Sequence, residues 1–219
     1  INKLSGPTGW MGENDPMTHA SPIVTELLGE RQVIFFTQNG LVGCNAQSGS
    51  TLWRAKHPFK VSAAASPIVE GDIVYCSSGY GVGASAFKVS KKAGKYSVQQ
   101  LWRKPNKLMN HWSTPVCIDG HLYGMFGFKE YSDGPLKCVE LATGKVKWSH
   151  QGFGPGGVTL VDDHLIATSD IGEVVLSKAT PTAYKELGRF KAINGKCWTH
   201  VAYSDGQIYV RSTQEGARF

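Results

Sequence analysis

Apolar positions along the chain come in short runs closed by turns, and the same order of run, turn and run recurs. Ser21-Pro22-Ile23-Val24, Ser66-Pro67-Ile68-Val69 and Thr114-Pro115-Val116-Cys117 are each followed by a turn and a second apolar run. The second runs are Val33-Ile34-Phe35-Phe36, Ile73-Val74-Tyr75-Cys76 and Leu122-Tyr123-Gly124-Met125. Two looser copies begin at Val158 and Val201. Register points at 22, 67, 115, 158 and 201 are spaced by 45, 48, 43 and 43 residues. No long stretch keeps a helical period, which argues against a helical domain. The turn pairs Asn39-Gly40, Asp119-Gly120, Asp133-Gly134, Asn194-Gly195 and Asp205-Gly206 punctuate the runs, as expected of many short strands joined tightly.

A period of roughly 40–50 residues built from short strands predicts propeller blades. The reading is an all-β chain whose innermost strands lie near 21–25, 66–69, 114–118, 157–161 and 200–204. Pro22, Pro67 and Pro115 suit strands with one free edge, where a missing donor is tolerated. The second half of the repeat sharpens this. Gly43-Cys44-Asn45-Ala46-Gln47-Ser48-Gly49-Ser50-Thr51-Leu52-Trp53 aligns with Cys138-Val139-Glu140-Leu141-Ala142-Thr143-Gly144-Lys145-Val146-Lys147-Trp148. Both read small–x–polar–x–x–Ser/Thr–Gly–x–x–x–Trp. The Ser/Thr-Gly pair makes the last turn, and the indole packs between neighbouring blades. Trp53, Trp102 and Trp148, with Gly49 and Gly144, are therefore the predicted docking residues, each indole beside its own glycine turn. The second unit is longer, with an insertion around Lys91-Lys92-Ala93-Gly94-Lys95. The fourth ends in Phe190 in place of Trp and carries Thr180-Pro181, a candidate one-turn helix start, in place of the turn.

This pattern resembles the tryptophan-docking motif of quinoprotein-like β-propellers, Ala-x-Asp-x-x-Thr-Gly-x-x-x-Trp, with Asn45 and Glu140 in place of the Asp. Phe35–Gly43, Ser77–Gly83, Asn110–Val116 and Gly195–Thr199 extend the resemblance to exported pyrroloquinoline-quinone-like repeat proteins, some labelled polyvinyl-alcohol-dehydrogenase-like. The resemblance implies a periplasmic or extracellular protein and a ring of roughly seven or eight blades. Residues 1–219 then form the C-terminal part of one propeller, with blades near 20–54, 65–103, 113–150, 156–190 and 199–219, about four and a half in all. Gly6-Pro7-Thr8-Gly9-Trp10 reads as the tail of an earlier blade. The remaining N-terminal blades become the first expected partner, whether cleaved or supplied by another chain.

Charge and cysteines change this picture little. The net charge is +6, and no Asp or Glu occurs between Ile73 and Ile118, where Lys88, Lys91, Lys92, Lys95, Arg103, Lys104 and Lys107 fall. That window is either a solvated hairpin or a docking patch for an acidic polymer or membrane surface. No reading helix or aromatic platform accompanies it, which speaks against nucleic acid. The five cysteines contain no C-x-x-C and read as small buried hydrophobes or one chance disulfide. No apolar run is long enough for a transmembrane segment.

Candidate chemistry sits just before the innermost strands, where blade-to-blade loops ring the propeller axis. His19, Trp112 and Trp198 share one register position, with His111 and His200 adjacent. Gly79-Tyr80-Gly81-Val82-Gly83 precedes a strand and not a helix, so it is not a phosphate loop; it places Tyr80 near the same mouth. The ligand-binding candidates are thus His19, Tyr80, His111, Trp112, Trp198 and His200. They could hold a planar quinone, a sugar or a metal, or each could be consumed locally by packing and backbone bonds. Three histidines without fixed spacing are no metal motif, and no metal ligand set or catalytic residue is assigned. Three functions stay open: a non-catalytic binding or scaffold propeller, like the lipoprotein that supports outer-membrane barrel assembly; a quinone-dependent alcohol dehydrogenase; and a carbohydrate or polymer binding module, with a protein or polymer at the axial mouth. Pyrroloquinoline quinone and calcium are implied only by the second. The resemblance supplies that class with an Asp base and often a pair of adjacent cysteines, and this chain has no such pair.

Overall fold

The computed structural model describes residues 15–219. The segment Gly6–Trp10 lies outside the described residues. The described chain is all β, in five antiparallel sheets that follow one another in sequence. The first is β1 (Ile23–Leu27), β2 (Glu30–Thr37), β3 (Gly40–Asn45) and β4 (Thr51–Lys56). The second is β5 (Ile68–Glu70), β6 (Ile73–Ser78), β7 (Gly83–Lys92) and β8 (Lys95–Lys104). β9 (Val116–Ile118), β10 (His121–Met125), β11 (Leu136–Glu140) and β12 (Lys145–His150) make the third. β13 (Gly157–Val161), β14 (His164–Thr168), β15 (Glu173–Lys178) and β16 (Glu186–Lys191) make the fourth. β17 (Ala202–Ser204), β18 (Gln207–Arg211) and β19 (Gly216–Arg218) make a three-stranded fifth. Each sheet runs in simple up-and-down order, as the blades of a partial β-propeller do. Pro22, Pro67 and Pro115 sit just ahead of β1, β5 and β9 and not within them, where their lack of an N–H leaves the ladder intact.

Alternation on the middle strands explains why five sheets stack without a common core. Successive side chains of a strand point to opposite faces. Val74 and Cys76 of β6 therefore join Ile34, Phe36 and Leu41 of the first blade, while Tyr75 between them joins Leu122 and Val139 of the third. Tyr123 and Met125 of β10 turn to Leu165 and Ala167 of the fourth blade, and Ile166 turns to Val201 and Val210 of the fifth. Among the described residues there are four such clusters, one per seam.

The docking aromatics close the outer part of each seam, in a way that corrects one expectation. The Trp102 Nε1–H donates to the Leu141 carbonyl of the next blade at 2.8 Å, and that of Trp148 to the Thr180 carbonyl at 2.7 Å. Phe190 meets Phe219 of the fifth blade at 5.0 Å between ring centroids. Trp102, Trp148 and Phe190 thus each dock on the following blade and not on their own turn. Gly144 accordingly lies against Trp102, where a Cβ would come within 2.9 Å of the indole, and not beside Trp148. Trp148 is half-buried, whereas Trp53 and Trp102 are buried. The Asp replacements keep the turn: Asn45 accepts from the amides of Gln47 and Ser48, and Glu140 accepts from Thr143 Oγ1. Thr180-Pro181 starts no helix; the chain bends there, and the Thr180 carbonyl, left free of helical bonding, takes the Trp148 indole.

The lysine-rich insertion is a clip. β7 and β8 extend as one long hairpin with its turn at Ala93-Gly94. It occupies the place where a short turn would accept the Trp53 indole. Trp53 instead donates to Gln32 Oε1 of its own blade at 2.8 Å, and Gln32 Nε2 passes to the Leu27 carbonyl and Tyr96 Oη. Tyr96 Oη and Lys91 Nζ both reach Glu30, whose carboxyl is held down to about 2 by them. Lys88 pairs with Asp72. The hairpin thus binds blade one through Lys91, whereas the Lys88 pair stays within blade two. All five cysteines are free thiols, four of them buried.

Two outcomes follow for stability. Trp53→Ala and Trp102→Ala should each cost about 3–5 kcal/mol in denaturant unfolding, and Trp148→Ala less, because its ring keeps water contact. His57 is 3% exposed, with Nδ1 on Ser85 Oγ and no partner for Nε2 among the described residues. Burial, helped by the Arg103 guanidinium, pushes its imidazole from the ordinary 6.5 down to about 3. Below the ordinary value the unfolded chain gains a proton that the folded chain refuses, so stability falls from there towards pH 3. Between pH 7 and pH 5 the loss should be about 2 kcal/mol, and most of it should vanish in His57→Gln.

Candidate functional site

One face carries the blade-to-blade connections and the loops between second and third strands. A buried polar knot fixes it. Asn110 is fully buried and donates from Nδ2 to the Met125 carbonyl at 2.8 Å. It accepts from Tyr75 Oη at 2.6 Å, and its own amide donates to Ser77 Oγ. Tyr75 and Ser77 belong to β6, Met125 to β10, so the segment leading to His111 and Trp112 is tied across the second seam. The His111 carbonyl in turn accepts the amides of Ala64 and Ala65.

From that anchor the rings run in an unbroken chain. His111 contacts Tyr80 at 5.0 Å, Phe128 at 5.1 Å and Trp112 at 4.6 Å. Trp112 meets Trp198 at 5.8 Å, and Trp198 meets Tyr131 at 6.2 Å. Tyr80 sits in the β6–β7 loop at φ +55, a left-handed conformation that costs a bulky side chain and persists only when its surroundings hold it. Here Phe128 and His111 hold it, and they lie so close to Gly79 that a Cβ there would come within 2.6 Å of Phe128. Lys129 Nζ lies 5.0 Å over the Tyr80 ring and Lys196 Nζ 5.5 Å over Trp198.

The two outlying histidines are placed differently. His200 Nε2 donates to the Thr114 carbonyl at 3.0 Å, so its ring is engaged by backbone. That bond joins blade five to blade three across blade four, whose Gly154-Pro155-Gly156-Gly157 lead-in has no side chain tall enough to intervene. The Trp112 indole donates to the Pro155 carbonyl over the same floor. His19 is exposed, donates its amide to the Ala63 carbonyl, and makes no ring contact with another described residue. Of the sequence candidates, then, Tyr80, His111, Trp112 and Trp198 come together, while His19 and His200 flank them. Phe128, Lys129, Tyr131 and Asp170 belong to the face and were missed. They lie in the second-to-third-strand loops of blades three and four, the loop type that singled out Tyr80, but no glycine cluster marks them.

The ring contacts leave a gap of only about 10 Å³ beside His111, Trp112 and Lys129. The usable concavity lies next to it, a cleft of about 650 Å³ walled by Tyr131, Asp170, Lys196, Trp198, Thr213 and Gln214. Asp170 is 6% exposed; its Oδ2 accepts the Ser132 amide at 2.9 Å, and burial raises its carboxyl. Burial, then the charge of Lys129, lowers the His111 imidazole. A tricyclic quinone needs a pocket of roughly 300 Å³ or more, which the packed rings do not leave. Among the described residues no group of three His, Cys, Asp or Glu is placed to hold a metal. Among the described residues, the ring-filled centre of this mouth does not fit a quinone with its calcium.

His111 should titrate by NMR below the ordinary histidine value, and Lys129→Gln should move it upward by removing a neighbouring cation. An unchanged titration in that variant would mean the Lys129 charge does not act on the ring.

Comparisons with known proteins agree with the architecture. Residues 1–150 match the family model described as outer membrane protein assembly factor BamB. Among solved structures, BamB from Moraxella catarrhalis superposes with a TM-score of 0.62 at 12% identity, covering 92% of this chain and 58% of its own. The quinohemoprotein alcohol dehydrogenase ADHIIG from Pseudomonas putida HK5 gives 0.62 at 11% identity, over 90% of this chain and 39% of its own. The quinohemoprotein alcohol dehydrogenase from Comamonas testosteroni gives 0.56 at 11%, over 93% and 39%. The chain thus spans little more than half the length of one and well under half of the others, and at these identities the likeness is one of fold. No curated protein matches the sequence.

Proposed function

The chain belongs to the PQQ-like repeat family described as outer membrane protein assembly factor BamB, and from that premise we propose that it is a non-catalytic binding module of an exported protein, docking a protein segment on the axial face. The observation that supports this reading is the continuous run Trp112–Trp198–Tyr131 bordering an open cleft. Trp198 and Tyr131 are 40% and 51% exposed. Exposed aromatic anchors beside a concavity are what protein recognition uses most heavily. The family's name, outer membrane protein assembly factor, suggests the partner's class, a component of that machinery, and a periplasmic location. Among the described residues no helix is long and apolar enough to cross a membrane.

A second reading has its own support. Thr213, Gln214 and Lys196 line the cleft next to the Trp198 ring, a mixture of stacking surface and hydrogen-bonding groups that suits a carbohydrate or hydroxylated polymer. The dehydrogenase reading has no support of this kind from the described residues.

A photocrosslinking amino acid placed at Tyr131 of the full-length protein in cells should yield a discrete protein adduct, which Trp198→Ala reduces at least about fivefold. Retention on immobilised dextran or poly(vinyl alcohol), lost in Trp198→Ala and without a protein adduct, would move the reading to a polymer module. Dye reduction with alcohols that depends on added pyrroloquinoline quinone and calcium would overturn it.

A further inference from the structure

A second cleft, of about 540 Å³, opens over the seam between blades two and three, separate from the aromatic face. Four lysines border it: Lys104 from the end of β8, Lys107 from the turn after it, Lys137 from β11, and Lys145 from the start of β12. Glu130 is the one acid on its wall. No Asp or Glu among the described residues lies within ion-pairing distance of any of the four ammonium groups. That contrasts with Lys88, Lys91 and Lys178, which are each paired.

The lysines are gathered by the docking geometry. The Trp102 indole fixes the Thr143-Gly144 turn through the Leu141 carbonyl, which brings Lys145 opposite the end of β8. A Cβ on Gly144 would come within 3.0 Å of Lys104 Cε, so the glycine lets the Lys104 stem lie across the seam. Lys107 stands between Asn106 and Leu108, both held at positive φ, +54 and +55. Asn tolerates this conformation, whereas for Leu108 it costs backbone energy and persists because the surroundings hold it. Lys137 is half-buried, and burial makes its ammonium less basic against the opposing pull of Glu130. Leu108 and Phe126, both buried, form the apolar floor of the cleft, and the exposed Val146 also lines it.

We propose that this cleft binds a phosphate-bearing organic anion. Ammonium groups act as separate point charges, which suits a multiply charged tetrahedral group, whereas planar carboxylates are read best by a guanidinium fork. The nearby guanidinium, Arg103, is already given to the Val82 and Ala84 carbonyls. The volume exceeds that of an inorganic phosphate, and the apolar floor accommodates the carbon skeleton to which the phosphate is attached. A soluble phosphoester and a phospholipid headgroup share this chemistry.

The test uses the full-length protein with tripolyphosphate in titration calorimetry, and cosedimentation with vesicles of phosphatidylglycerol in phosphatidylcholine against phosphatidylcholine alone. The double variant Lys104→Met/Lys137→Met should lose at least about tenfold in affinity for whichever probe binds. Glu130→Gln should bind severalfold more tightly, a gain that a misfolded variant cannot give. Lys92→Met/Lys95→Met, which removes the same charge from the hairpin, should stay within about twofold of the parent. Binding of tripolyphosphate alone identifies a soluble ligand, and binding of anionic vesicles alone a headgroup; either result upholds the site. It is overturned if the parent binds neither probe, or if the hairpin variant weakens binding as much as the cleft variant.

Discussion

The constraint on which this structure depends is that none of its sheets can cover its own two faces. Each blade is a thin antiparallel ladder, and its middle strands alternate apolar side chains to both sides. Val74 and Cys76 need blade one as much as Tyr75 needs blade three. Burial is therefore shared between neighbours, in four seam clusters with no common centre. Stability in such an array is set by nearest-neighbour terms, and the outer indoles are the most directional of them. Each removes a large apolar face from water while handing one N–H to a carbonyl of the next blade. Where the long hairpin takes that turn away, the same donor is satisfied by Gln32, and Tyr96 and Lys91 renew the seam through Glu30.

The candidate face is a by-product of this stacking. Seams must be bridged by short connections, and the connections and second-to-third-strand loops emerge together on one side. Their side chains then depend on how tall the intervening lead-in is. Blade four offers glycines, so Trp112 and Trp198 touch and His200 reaches Thr114. The rings fill what would have been a central pocket, and the open volume moves outward to the cleft beside Tyr131 and Asp170. The lysine cleft arises from the same cause at the second seam: docking of Trp102 brings two lysine-bearing segments face to face, with Glu130 the one acid on the wall.

The all-β class and quinoprotein-like repeat were legible in the chain alone, because they rest on local rules. Strand alternation, turn pairs and a Ser/Thr-Gly turn followed by an indole are properties of a few consecutive residues, and their repetition multiplies the signal. Candidate residues were legible to the extent that they sat at repeat register positions, as Trp112 and Trp198 do. Phe128, Tyr131 and Asp170 were not, because loops between second and third strands differ in length and carry no periodic mark.

What only the tertiary structure decided is which blade each side chain serves. Sequence places Gly144 near Trp148, but the turn receives Trp102, since a blade's outer strand faces the neighbour that follows it. Sequence equates His19, Trp112 and Trp198, but contact joins two of them and leaves the third apart among the described residues. It shows Lys91 and Lys137 as two cations of one basic chain, while folding pairs the first with Glu30 and leaves the second half-buried with no carboxylate at ion-pairing distance among the described residues. The physical reason is the same in every case. The periodicity of a strand specifies what faces outward from a sheet, whereas the identity of what it meets depends on a neighbouring sheet some 40 residues or more away in the chain, and no local pattern encodes that.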